Sequence, residues 1–176
     1  SMAEQHFRDA GVWDTGFQLT AFYNSGNDVR MDALLMLENN IESMNPSFNI
    51  EVQGLEWPDY LDKLRAQELP LFFLGWAPDY ADPHNYAHPF LHSDGHFPHY
   101  LGFHDDEIDE LIMDAATESD ASIREGMYSE LAYLEHDKAL YIWCSQGIGY
   151  HFERDWVNGW YHNMMHSLLY YTLSKD

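Results

Sequence analysis

Along the first half of the chain the spacing of apolar residues switches from two to three and four, and back again. In "GFQLTAFY" (16–23), Phe17, Leu19, Ala21 and Tyr23 fall on alternate positions, the period of a strand. "NSGND" breaks that run and offers Asn27 or Asp28 as a helix cap. Met31, Leu34, Leu35 or Leu37, Ile41 and Met44 then recur at three- and four-residue spacing, predicting a helix that stops at Asn45–Pro46. "FNIEVQGL" (48–55) alternates Phe48, Ile50 and Val52 as a second strand. Pro58 suits the first turn of a short helix, "PDYLDKLRAQ", with Trp57 and Tyr60 packing it onto the sheet. "LPLFFLGW" (69–76) is apolar throughout, as in a strand covered on both faces. Ahead of all these, "AEQHFRDA" (3–10) reads as the end of a helix closed by Gly11.

Strand, helix, strand, helix, strand predicts an α/β layer with parallel pairing and right-handed crossovers. In the second half, residues 83–91 suit a short helix and 92–104 a histidine-bearing surface loop. Residues 105–118 and 120–137 read as two amphipathic helices, the second burying Ile123, Met127, Leu131 and Leu134. "ALYIWCSQGIGYHF" (139–152) and "SLLYYTLS" (167–174) return to strand character. No repeat, low-complexity segment or linker interrupts the chain, and 176 residues suit one domain or one lobe of something larger.

Charge narrows the choice of partner. Thirty acidic residues face eight basic ones, for a net charge of -22, which repels nucleic acid and anionic membranes. Only three of the basic residues are lysines, a balance that suits a protein kept soluble in high salt and equally an acidic secreted one. Aromatic residues make up 16% of the chain, enough for a core and a binding surface besides. The lone Cys144, inside "LYIWCS", is expected to be a small buried hydrophobe. No run approaches the ~20 apolar residues of a membrane span, and no signal peptide is seen. Ser1–Met2 has the look of a tag scar.

The densest chemistry lies in "GWAPDYADPHNYAHPFLHSDGHFPH" (75–99). His84, His88, His92 and His96 recur every four residues, a spacing that on one helix would chelate a transition metal. Pro89, Gly95 and Pro98 argue against one helix through all four, so at most His84 and His88 share a face. A native metal site is not expected; His84, His88 and His92 are its candidates if one exists. Asp79 is either a turn cap or a ligand contact, and Asp82, ahead of Pro83, suits the cap of the next helix. Arg65, Glu68, His151, Glu153 and Asp155 offer acids and bases, but no strained nucleophile, HExxH, GxSxG or phosphate loop accompanies them. Enzymatic activity is not expected, and neither is a cofactor.

Several pieces, in order, resemble the C-terminal lobe of the family 5 solute-binding proteins of ABC importers, which include oligopeptide, dipeptide and nickel binders. They are "DAGVWDTGFQLTAFYNSGNDVR", "FNIEVQGLEWPDYLDKLRAQELPLFFLGWAPDYADPHNY", "DDEIDELI", Arg124 with Tyr128, "ALYIW" and "VNG". Lys138 stands where the family often has a proline. The resemblance implies one lobe (residues 1–176) of a two-lobed, class II periplasmic-binding-protein-like fold, with a mixed, mostly parallel central sheet flanked by helices. It implies substrate capture outside the cytoplasm, periplasmic or lipid-anchored at the cell surface. A hinged cleft would close on a peptide or similar solute, with a missing N-terminal lobe and ABC permease subunits as partners. Metal-chelate or oligosaccharide binding, or a self-associating module, are the alternatives. The implied ligand-binding residues are Trp76, Asp79, Tyr80, Tyr23 and Trp143, with Asp79 receiving a ligand α-ammonium and Trp76 and Tyr80 walling it.

Overall fold

Three parallel strands organise the first 76 residues of the computed structural model, which describes residues 1–163, 165 and 169–176. β1 (Phe17–Asn24) lies between β2 (Phe48–Leu55) and β3 (Leu71–Phe72). β1 and β2 pair over their full lengths, from Phe17 opposite Phe48 to Asn24 opposite Leu55. α1 (Met2–Asp9) precedes the sheet, α2 (Asp28–Glu42) links β1 to β2, and α3 (Trp57–Arg65) links β2 to β3. The alternation in β1 and β2 does what it predicts. Ala21, Leu34 and Ile50 form a buried cluster, and Phe17, Leu19, Tyr23, Leu37, Ile41 and Val52 pack around it. Full burial of a Leu or Ile side chain is worth about 1.5–3 kcal/mol, so this cluster fixes the docking of α2 on the sheet.

Local signals set the boundaries. The Asn27 side chain accepts the Arg30 backbone N–H at 3.1 Å and caps α2. Gly11 follows α1 with φ +74°. Gly16 has φ +70°, and a Cβ there would collide with the Ser47 carbonyl, so only glycine lets β1 start beside β2.

β3 is much shorter than its apolar run. Leu71 and Phe72 pair with Ala21 and Phe22, and one further bond runs from the Phe73 N–H to the Phe22 carbonyl at 2.9 Å. Leu71 to Leu74 are only half-buried. Apolar content makes a strand possible, but ladder length is set by the partner, and among the described residues no strand flanks the other side of β3.

The chain divides into two compact units, Ser1–Trp76 and Ala77–Asp176. In the second, α4 (His84–Leu91), α5 (His96–Leu101), α6 (Asp106–Thr117) and α7 (Ala121–Lys138) bury Ala87, Phe90, Phe97, Ile108, Ile112 and Leu131. Asp105 and Asp120 cap α6 and α7, each accepting two backbone N–H groups. Lys138 closes the end of α7 on the Asp105 carboxylate at 2.6 Å. The hydrogen bond from Lys138 is the main reason Asp105 ionises below the usual carboxylate range.

Five expectations for this unit are corrected. Residues 92–104 contain α5 rather than a plain loop, begun at Gly95 and closed by Gly102 at φ +65°. On α7, Leu131 is buried but Met127 and Leu134 are half-buried and Ile123 is 54% exposed; Glu135 takes the inward position instead. Residues 139–152 form no strand, because none of the described residues supplies a neighbour to pair with. Cys144 is consequently exposed rather than buried. Of the last expected strand, residues 167 and 168 lie outside the described residues. The rest is a 3-10 turn (Tyr170–Thr172) and a two-residue strand, β5 (Ser174–Lys175), antiparallel to β4 (Val157–Asn158). Among the described residues, no helix is long and apolar enough to cross a membrane.

Candidate functional site

The parallel strands of the first unit release their following loops at one edge, where open α/β sheets receive ligands. Tyr23, near the end of β1, is half-buried, and its phenol lies over Gly54, where an added Cβ would come within 3.0 Å of it. Arg30 reaches the same edge from the first turn of α2, donating from Nη1 to Asn24 Oδ1 at 2.6 Å. Its Nη2 lies 2.9 Å from the place a Cβ of Gly75 would take, so a glycine leaves the guanidinium its space. Tyr60 is fully buried on α3 and donates to the Phe73 carbonyl at 3.0 Å, tying down the strand that leads to Trp76. Burial drives the Tyr60 phenol well above its ordinary pKa, with the Arg30 charge opposing it. Trp76 is half-buried at the end of the unit.

Arg30 lies outside the five residues that the resemblance implies for ligand binding. Among the described residues no carboxylate pairs with it, although the chain carries 30 acidic groups. Its signal in the sequence is a lone arginine in a first helical turn, where the helix dipole favours an anion and not a cation.

In the second unit, residues 79–85 form a closed turn. The Asp79 N–H donates to Asn85 Oδ1 at 2.8 Å, the Asp82 N–H to the Tyr80 carbonyl at 3.0 Å, and the Asn85 N–H to the Asp82 carbonyl at 3.0 Å. The Asp82 side chain accepts the His84 N–H at 2.8 Å from one position ahead of the α4 N-cap, which is Pro83 and not Asp82. Asp79 is exposed, and among the described residues its carboxylate accepts no hydrogen bond. Tyr80, 45% exposed, shares a 2.9 Å hydrogen bond with His84 Nδ1. Asp82 is held further by Arg124, whose Nη2 donates to Oδ1 at 2.7 Å. That hydrogen bond is the largest cause of a lowered Asp82 pKa.

Trp143 belongs to the same unit and is 59% exposed. Its indole N–H donates to Glu135 Oε2 at 3.0 Å, and its ring lies 5.2 Å from Phe90 and 5.5 Å from Tyr141. Glu135, only 6% exposed, also accepts the Tyr141 N–H at 3.2 Å. Its signal was present: it follows Leu131 by four positions on the buried face of α7. The five implied ligand-binding residues thus form two sets, Tyr23 with Trp76 in the first unit and Asp79, Tyr80 and Trp143 in the second.

The histidines stack further than expected. Pro89 is accommodated inside α4, and the His84 and His88 rings lie 5.3 Å apart. His92, at the C-cap, continues the row 4.5 Å from His88 at an interplanar angle of 11°. Parallel stacking sets ring nitrogens side by side instead of aiming them at one point, and the Asp94 N–H donates to His92 Nδ1. Among the described residues, no group of three or more His, Cys, Asp or Glu is placed to hold a metal ion.

The stack has a consequence for pH. Burial first, and then the neighbouring His92 and His84, hold the His88 imidazole below the ordinary histidine value, against upward pulls from Asp94 and Asp109. The unfolded chain therefore protonates at His88 before the folded one. Stability is lost as pH falls through about 6.5, and the loss is complete below the folded value. Between pH 7.5 and 5.5, the melting temperature of the unsubstituted chain should fall relative to that of His88→Asn. Parallel profiles for the two proteins would show that His88 carries no such penalty.

Comparison with known proteins gives the chain a family. The model of the bacterial extracellular solute-binding proteins, family 5 Middle, matches residues 1–98. A probable di/tripeptide-binding protein 5 of Pseudomonas aeruginosa is 28% identical over 130 residues, covering 71% of this chain and 24% of its own. Among solved structures, HbpA2 from Haemophilus parasuis superposes with a TM-score of 0.76 at 16% identity, over 99% of this chain and 35% of its own. The periplasmic binding protein DppA from Helicobacter pylori, in complex with the peptide STSA, gives 0.65 at 23% identity, over 80% and 27%. At these identities the likeness is one of fold, and it is the α/β periplasmic-binding-protein fold. The chain spans about a quarter of the length of the di/tripeptide-binding relative it matches. By the match over its first 98 residues, the chain belongs to family 5 of the bacterial extracellular solute-binding proteins.

Proposed function

We propose that this chain is the C-terminal ligand-binding lobe of a solute-binding protein that captures a short peptide outside the cytoplasm for an ABC importer. The lobe would close as one half of a hinged cleft, with the rest of the protein supplying the other half, and the liganded form would dock on the permease. The family match over residues 1–98 carries this reading. The names of relatives support the ligand class: di/tripeptide-binding and oligopeptide-binding proteins.

The local chemistry agrees. Asp79 offers an unengaged carboxylate on a turn fixed by its own backbone, suited to a ligand ammonium. Tyr80, Trp76, Tyr23 and Trp143 offer aromatic surface for cation and side-chain contact. Arg30, held by the neutral Asn24, is suited to a carboxylate. The test is calorimetric titration of the full-length protein with trialanine, a neutral oligosaccharide and a nickel chelate. Heat from trialanine alone supports the reading; binding of the sugar or chelate in its place would replace the ligand class.

A second reading, self-association, is favoured by one observation. Residues 139–152 carry no charged side chain, and Ile148, Tyr150 and Phe152 stand largely exposed. Sedimentation of the chain over a concentration series separates a dimer from a monomer.

A further inference from the structure

We propose that Arg124 is a positioning residue for the binding turn at 79–85. This rests on the reading of Asp79 as the amine-binding carboxylate. The turn is closed by its own hydrogen bonds, so it can hold its shape and still be misdirected as a body. Arg124 ties it to the helices. From the first turn of α7 its Nε donates to the Ala115 carbonyl at 2.9 Å, near the end of α6. Its Nη2 donates to the Tyr128 hydroxyl at 3.1 Å and to Asp82 Oδ1 at 2.7 Å, and its guanidinium lies 4.9 Å from the centre of the Tyr128 ring. Asp82 lies 42 positions earlier in the chain.

The cation is thus oriented by two helices before it meets the turn, and Asp82 passes that orientation on. The same Asp82 oxygen that binds Arg124 accepts the His84 N–H, and His84 Nδ1 binds the Tyr80 hydroxyl. The contacts run from Arg124 through Asp82 and His84 to Tyr80, and the Asp82 carbonyl and Asn85 carry them to Asp79. Three acceptors in different directions suit the planar fork of an arginine, which the single ammonium of a lysine does not reproduce. Both partners are partly exposed (side chains 25% and 34%), so the pair adds little to global stability. Its effect is on where the turn points.

The experiment measures, in the full-length protein, the ratio of affinities for trialanine and N-acetyl-trialanine, together with the melting temperature. Arg124→Gln should shrink that ratio by about 10- to 100-fold, as misplacement of a binding group does, with little change in melting temperature. Arg124→Lys should fall between. Asp82→Asn, which keeps the oxygen for the His84 N–H but removes the charge Arg124 holds, should act like Arg124→Gln and serves if the latter fails to fold. If Asp79→Asn abolishes the discrimination while the Arg124 and Asp82 variants keep it, the positioning role is wrong and the amine site stands. The role is equally wrong if those variants weaken both peptides alike in step with a lost melting temperature. If Asp79→Asn leaves the ratio intact, or the unsubstituted protein ignores trialanine, the amine site fails and takes this proposal with it.

Discussion

Tyr60→Ala is expected to destabilise the chain by about 3–5 kcal/mol, the range for emptying a buried aromatic site. Tyr60 is fully buried, stacks on Trp57 at 5.7 Å and ties α3 to the Phe73 carbonyl at 3.0 Å. Two costs combine in this substitution: the cavity left by the ring and the carbonyl left without its donor. Tyr60→Phe separates them, because it keeps the ring and removes only the hydroxyl. It should cost about 1–3 kcal/mol, the penalty for stranding a buried polar group. Urea unfolding of the three proteins measures both values. The position matters because β3 is held by two residue pairs and the Phe73 bond, and the chain runs from there directly to Gly75 and Trp76. A loss below about 1 kcal/mol for Tyr60→Ala would mean that α3 is not what anchors that exit.

The first unit was legible because its signals are local. β1 and β2 appear where Phe17, Leu19, Ala21 and Tyr23, and Phe48, Ile50 and Val52, alternate, and α2 starts at the cap its Asn27 offers. What failed depends on partners. Residues 69–76 and 139–152 have the composition of strands, yet a strand exists only where another supplies its hydrogen bonds. Cys144 is exposed for the same reason: its apolar neighbours predict burial, but among the described residues no strand pairs with them.

Site residues divide in a similar way. Asp79 and Tyr80 are candidates through the resemblance alone; the turn at 79–85 separates Asp82, which accepts the His84 N–H, from Asp79, whose carboxylate accepts no hydrogen bond among the described residues. Arg124 was visible only as one mark of a resemblance. Its contact with Asp82 spans 42 positions, and no periodicity reports it. Glu135 is hidden by its own charge: Leu134 fits an apolar stripe better, yet two N–H donors from residues 141 and 143 make the buried carboxylate acceptable. The histidine row is legible in part. No single helix runs through all four histidines, since α4 ends at Leu91 and α5 begins at His96, but the ring stack extends past His88 to His92 at the C-cap.

Asp79→Asn in the full-length protein should weaken binding of peptides with a free α-amine by about 2–5 kcal/mol, the range for truncating one partner of a charge pair that binding buries. That corresponds to a roughly 30-fold to several-thousand-fold rise in Kd. The substitution is close to isosteric and leaves the backbone N–H that Asn85 accepts, so the turn keeps its shape while the charge is lost. In the free chain Asp79 is solvated, which is why the loss should appear in binding and not in stability. The size of the effect depends on closure. A ligand ammonium against an open, wet carboxylate gains about 0–1 kcal/mol, and only exclusion of water raises the pair above that. The two limits therefore read out the state of the cleft as well as the residue. A loss of 2 kcal/mol or more, confined to free-amine peptides and absent for N-acetyl-trialanine, shows an enclosed amine clamp. A small loss that vanishes in molar salt shows Asp79 at an open rim, where screening reaches it. No loss for any free-amine peptide that the unsubstituted protein binds would take the ammonium away from Asp79 altogether.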